Sequence, residues 1–447
     1  MTYLKDKLEQ RFKNDQDFTC ITTFYLGPIP VTLVGYSTLI HFPDTLKLLA
    51  LQAQHLTEKD EETLCFLASL GTVIESKNAE QQAAKAIVTG SLILLHEPSG
   101  MCVDIRSVIP QTLTRSIETP STENVLRGTI SSFNENIDTN IGMIRKQLID
   151  ERLQIKSFRC GQQKSTRLEV LYVKDKVSSD LLNRLLKQIE ANQDTDTPNI
   201  RQLGLMLGFR KWEFTAKFHS TELPQSTAAA LKNGKVVILL DRFPFALILP
   251  SLLSDMYVME DDNNFQYPFI LFLRMIRITG ILITLLIPGL YVALVSVNPE
   301  VLRIELALSI AKSRVDVPYP ALIETLLLLI ILELILEASV RLPKSIGPTL
   351  TMVGGIILGE AIVSAKLVSN LLIIILAATT IACSTVAGYQ NSLTLRLMKY
   401  AVLFLCSFFG IMGLVAGLVV ISTYVAKTET FGIPYFQLKP PKDENSG

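Results

Sequence analysis

The way hydrophobicity is distributed along the 447-residue chain constrains its fold more than any other feature. Residues 1–266 mix charged and apolar side chains in short stretches, and from about Tyr267 the sequence turns into a succession of long apolar runs. Residues 278–297, 350–359, 367–390 and 400–426 carry no charged side chain. An α-helix rises about 1.5 Å per residue, so roughly 20 helical residues cross a hydrocarbon core about 30 Å thick. The first and last of these runs reach that length. The expected fold is an α/β soluble N-terminal region of two subdomains followed by an all-α multi-span membrane domain of about four to six helical segments.

Within the soluble half, residues 18–26 and 31–36 read as strands split by the turn Gly27-Pro28-Ile29-Pro30, and residues 91–96 and 101–105 as a second pair around Pro98-Ser99-Gly100. Helical spacing over residues 43–53 and 79–88 completes a first α/β unit, residues 1–115. A polar stretch opens the second, residues 116–266. There a helix is expected over residues 130–149, strands over 153–159 and 167–173, and a helix capped by Ser178-Ser179-Asp180. A short helix, a strand over residues 213–219, a helix near 225–232 and strands over 235–240 and 245–249 follow. The membrane domain is set at residues 267–430 and a C-terminal tail at 431–447, and no fixed-period repeat is visible.

Charge and cysteine usage exclude several functions. Lys+Arg and Asp+Glu number 42 each, so no global field favours nucleic acid. Cys20, Cys65, Cys102, Cys160, Cys383 and Cys406 form no CxxC pair and have no histidine at ligand spacing, so they read as small core residues and no metal site is expected. The charged N-terminus lacks the apolar segment of a cleavable signal, so the N-terminal region is expected on the cytoplasmic side. Cys160-Gly161-Gln162-Gln163-Lys164-Ser165 has a Lys-Ser pair but lacks the glycines whose amides would cradle a phosphate. His41, His55, His96 and His219 stand apart and no Ser/His/Asp order emerges. We therefore expect no catalytic residues, no cofactor and no enzyme.

The apolar half carries acids that need an account. Glu324, Glu333 and Glu337 lie in or beside the apolar stretch 321–336, and Glu360 follows Gly354, Gly355 and Gly359 in another. A carboxylate near the centre of a spanning helix costs about 2.5–3.5 kcal/mol on insertion scales, so each must face protein, water or a cation. At about 100° per residue Glu333 and Glu337 share a face and Glu324 lies opposite. Glu337 and Arg341 are placed for a structural i,i+4 ion pair in low dielectric. Glu324 and Glu360 have no basic residue four positions away and are the candidate pore or pathway acids. Pro318, Pro320, Pro343, Pro348 and the glycines interrupt these helices, a pattern tolerated at membrane depth where helices line protein or water.

Ordered segments resemble the GerA family, the A subunits of bacterial spore germination receptors. In the soluble half these are Arg127-Gly128, Phe133-Asn134-Glu135-Asn136 and Asn140 to Arg145. In the apolar half they are IPGLYVAL with Pro288 and Gly289, NPE at residues 298–300, SRVDVPYPALIE with Pro318 and Pro320, ELILEASVRLPKSIG with Pro343 and Gly347, VGGIILGEAIV with Gly359, and FGIPYF at residues 431–436. The resemblance implies a protein of the spore inner membrane, its N-terminal domain on the core side, that assembles with B and C subunits and responds to nutrients. It further implies a homo-oligomer contacting membrane lipid and forming a ligand-gated cation channel; a non-conducting scaffold for partner subunits is the alternative. Departures from the family pattern are Glu360 where a glutamine is usual, Ser339 in place of a glycine, Arg242-Phe243-Pro244 for Gly-Thr-Pro, and Glu260-Asp261-Asp262-Asn263 for Glu-Asp-Tyr-Tyr. Basic residues flank both sides of the long runs (Arg274, Arg277, Arg396, Lys399, Lys427), so charge asymmetry does not set the topology; both ends are expected on the inner side.

Overall fold

The computed structural model describes residues 2–53, 60–74, 78–105, 108–111, 128, 131–162, 165–196, 199–342 and 347–437. In the N-terminal part, α1 (Thr2–Arg11), β1 (Phe18–Leu26), β2 (Ile29–Tyr36), α2 (Phe42–Gln52), α3 (Asp60–Ser69), β3 (Gly71–Val73), α4 (Ala79–Thr89), β4 (Leu92–His96) and β5 (Met101–Ile105) form one unit. Its five strands run antiparallel in the order β1-β2-β4-β5-β3.

The second unit contains α5 (Ile137–Gln147), β6 (Leu153–Cys160), β7 (Thr166–Val173), α6 (Ser179–Ala191), α7 (Ile200–Met206), β8 (His219–Thr221), α8 (Pro224–Lys232), β9 (Val236–Leu240) and β10 (Ala246–Leu249). Its sheet is again antiparallel, in the order β6-β7-β9-β10-β8. Helix for helix and strand for strand, the second unit repeats the first. Its strands are apolar on both sides because both faces are covered. Leu168, Val170, Tyr172, Val236, Ile238 and Leu240 pack with α6 and α7, whereas Leu171, Val173, Val237 and Leu239 pack with α5 and α8.

Two expected elements fall elsewhere. The helix expected over residues 130–149 begins only at Ile137, where the Asn136 side chain accepts the backbone N–H groups of Asp138 and Thr139 and so caps it. The strand expected over residues 213–219 lies at His219–Thr221. Residues 213–218 have no regular structure because their hydrogen bonds go to the helical half and tail: Phe214 bonds Thr394 and Tyr424, and Lys217 bonds the Glu429 carbonyl.

The helical half comprises α9 (Tyr267–Val292), which continues through a wider turn at Ala293–Val297, α10 (Ile304–Arg314), α11 (Ala321–Arg341), α12 (Gly347–Ser364), α13 (Asn370–Ser384) and α14 (Tyr389–Lys427). The stretches 267–297 and 389–427 are long and apolar enough to cross a membrane. Helix α14 is folded back on itself at Gly410, whose backbone is non-helical at φ 58° and ψ −135°. Positive φ suits glycine. A side chain at Gly413 would lie 2.1 Å from the Leu405 carbonyl oxygen, so the two arms touch backbone to backbone. Asn298, just beyond α9, accepts the Ile411 N–H at 3.1 Å and caps the returning arm at the turn.

Helix α9 starts against the sheet region, where Arg277 bonds Asp262 and the Tyr257 carbonyl, and ends at that far turn. Helix α11 returns from the far end, where Glu324 meets Ser369, to the level of Arg396 and Lys399. Helix α12 runs outward again to Lys366, which pairs with Asp316 at 2.8 Å, and α13 comes back to the sheet region, where Ala387 bonds the Met256 carbonyl. With the two arms of α14, the chain traverses the helical half an even number of times. Its end therefore returns to the sheets: β11 (Glu429–Thr430) and β12 (Ile433–Pro434) form a small hairpin whose Ile433 enters the core of the second unit.

Candidate functional site

Glu324 is fully buried on α11. One carboxylate oxygen accepts the Arg314 Nε–H at 3.2 Å and the other the Ser369 N–H at 2.6 Å, at the start of α13. Arg314 also donates to the Tyr319 carbonyl at 3.2 Å, and Tyr291 and Ser369 share a hydrogen bond at 3.1 Å beside it. The partner of Glu324 thus stands ten positions earlier, brought back by the turn that holds Pro318 and Pro320, both exposed. That loop closure was invisible to a search at i±4.

Glu333 reaches across to α14, where it binds Arg396 and Lys399, the latter at 2.9 Å. Glu337 and Arg341 pair at 2.6 Å as expected from their spacing, but on an outward face, with the arginine side chain 76% exposed. Glu360 lies on α12 one turn before its end, exposed, and bonds no described residue. It shares its face with exposed Val353, Ile356 and Ile357, and on another face of α12 a side chain at Gly355 or Gly359 would meet nothing within 4 Å.

Of the remaining motif residues, Pro288 is buried within α9, and Gly289 lets α14 approach so closely that a side chain would meet the Cys406 Sγ at 2.9 Å. Gly128 is exposed and Gly347 starts α12, whereas Arg127 and Pro343 lie outside the described residues, as do Gln163, Lys164 and His55. Cys102, Cys160, Cys383 and Cys406 are buried, Cys20 is half-buried and Cys65 is exposed, against its reading as a core residue. Among the described residues no three His, Cys, Asp or Glu side chains gather as metal ligands would.

The soluble motif does structural work that sequence reasoning missed. The Asn140 side chain accepts the Asn134 backbone N–H at 2.9 Å and donates to the Asn134 carbonyl at 2.7 Å, which sets the start of α5. From the end of α5, Arg145 crosses into the first unit. It binds Asp17 twice at 2.7 Å and Asp15 at 3.4 Å, with its guanidinium 3.8 Å from the Tyr36 ring centre. Tyr36 donates to Asp15 at 2.7 Å. Burial pushes the Asp15 carboxyl up to about 6, only partly offset by Arg145. Asp15 and Asp17 precede β1 and Arg145 lies on α5, so only the packing of the two units brings them together.

This architecture, a doubled α/β region packed against a bundle of apolar helices, defines a two-part protein whose helical half includes two stretches long and apolar enough to cross a membrane. The sequence profile of the family "Bacillus/Clostridium GerA spore germination protein" matches residues 6–446, and the chain belongs to the GerA family. It is 33% identical to "Spore germination protein GerLA" of Bacillus cereus over 78% of this chain and 71% of that one. It is 30% identical to "Spore germination protein A1" of Bacillus subtilis (strain 168) over 85% of this chain and 79% of that one, and 31% identical to "Spore germination protein B1" of the same organism over 79% and 73%. The crystal structure of the N-terminal domain of the A subunit of the Bacillus megaterium spore germinant receptor GerK3 aligns with a TM-score of 0.37 at 18% identity, covering 56% of this chain and 94% of that one.

Proposed function

We propose that the chain is the membrane subunit of a nutrient germinant receptor that triggers spore germination, embedded by its helical half in the spore inner membrane with the sheets on the core side. It assembles as a homo-oligomer with B and C partner subunits into a ligand-gated cation channel. The observation that carries this reading is Glu360, an acid without a partner among the described residues on an outward face of an apolar helix. Lipid is a costly neighbour for a carboxylate, so protein or water must cover that face. Gly355 and Gly359, four apart and open on another face of α12, let a second helix approach closely. In a ring of copies, Glu360 would form a ring of carboxylates near the pore mouth, which concentrates cations.

Glu324 favours the second reading, a non-conducting scaffold for partner subunits, because Arg314 already neutralises it inside one chain. For Glu324 to serve a pathway, Arg314 must swing away. Monovalent cation release from germinating spores separates the two. Glu360→Gln, which keeps the volume and removes the charge, should slow release at an unchanged protein level, and Glu324→Gln should slow it further. Normal release from both variants, with the subunit present in normal amounts, would leave the scaffold.

A further inference from the structure

Trp212 is the sole tryptophan of the chain and 88% of it is exposed. Indole rings are normally well covered, so one presented this openly asks for a partner. It stands in the segment Phe209-Arg210-Lys211-Trp212-Glu213-Phe214, which follows α7 and is pinned at both ends. Phe209 packs inward, its ring 5.7 Å from that of Phe431. Phe214 donates its N–H to the Tyr424 hydroxyl at 3.0 Å, and its carbonyl accepts the Thr394 hydroxyl at 2.7 Å. Those two residues lie within two turns of the ends of the two α14 arms, so the segment is fixed at the level where both arms leave the sheet region. Arg210 and Lys211 are exposed beside the indole, and Lys427 is exposed at the end of the second arm. The one acid of the segment, Glu213, is engaged by Lys217 at 3.4 Å.

We infer that Arg210, Lys211 and Trp212 form a lipid-contact site, with the indole in the headgroup region of the bilayer and the two cations on anionic headgroup phosphates. The inference rests on the embedding of the helical half proposed above. Indole is apolar in body with one N–H donor, which suits the boundary between acyl chains and water. Basic side chains within a Debye length of an anionic leaflet are drawn to it. Such a contact would hold the second α/β unit at a fixed height over the membrane while the clamp at Phe214 ties it to α14.

The single indole is its own probe. The full-length chain is reconstituted into vesicles of phosphatidylcholine and phosphatidylglycerol, with embedding checked by flotation. Trp212 emission should be blue-shifted from that of free tryptophan, weakly quenched by iodide, and quenched more by lipids brominated high on the acyl chain than by lipids brominated deep. Arg210→Glu with Lys211→Glu should shift the emission to the red and remove most of the bromolipid quenching while the protein still floats. A floating chain whose indole emits and is quenched by iodide like free tryptophan would overturn the lipid site alone, leaving this surface to a partner protein. A chain that does not float would overturn the embedding reading and this site with it.

Discussion

Arg145 joins the two α/β units through side chains that are almost fully buried, since Arg145 and both of its aspartates expose 2–3% of their side chains. Asp15 is the strained member, with its carboxyl raised from 3.8 to about 6 by burial. A group whose folded value lies above its unfolded one stabilises the fold most below the unfolded value, and that contribution is lost as pH rises through the folded value. The window is therefore about pH 4 to 6. Wild-type protein should lose thermal stability relative to Asp15→Asn across that window, as read by melting the two side by side; parallel pH profiles would remove Asp15 from the account. This cluster could not be read from the sequence, because Asp15, Asp17, Tyr36 and Arg145 meet only through the packing of one unit on the other. The Glu337–Arg341 contact was legible for the opposite reason: helical spacing alone brings four-apart residues together. Its exposure was not, since which side of a uniformly apolar helix faces its neighbours is a tertiary matter.

At the scale of elements, strands with long apolar runs were found close to where alternation and turn signals put them, and β3, α1 and α3 were missed. Gly71–Val73 is too short to show a period, and α1 carries mostly polar residues around Leu4 and Leu8. The most consequential miss is α14. Its apolar run of residues 400–426 reads as a single span, and one residue, Gly410, turns it into a hairpin. Glycine at 413 then becomes obligatory, because any side chain would strike the Leu405 backbone. Gly413→Ala should destabilise the protein by about 1–3 kcal/mol through overpacking. Gly354→Ala, where a side chain meets nothing within 4 Å, should not. Thermal melting of the detergent-solubilised variants compares them directly, and equal melting would contradict the backbone contact between the arms.

For the whole molecule, the even number of traverses brings the end of α14 back to the second unit, where Ile433 enters the core; the expectation that both ends lie on the inner side did not come from charge asymmetry, which is balanced along the chain. The duplication of the α/β unit left no trace as a repeat in the sequence. Two sheets of one topology need matching burial patterns, not matching residues, and apolar side chains exchange freely within such patterns. The candidate acids were found by composition, but only three-dimensional packing separates the neutralised Glu324 from the open Glu360. The central claim, conduction by this subunit, is tested most directly by recording from the purified full-length chain in planar bilayers, alone and with its partner subunits. The account predicts cation-selective current that Glu360→Gln reduces. Bilayers that contain the embedded oligomer with its partners and nutrient yet carry no current would contradict it.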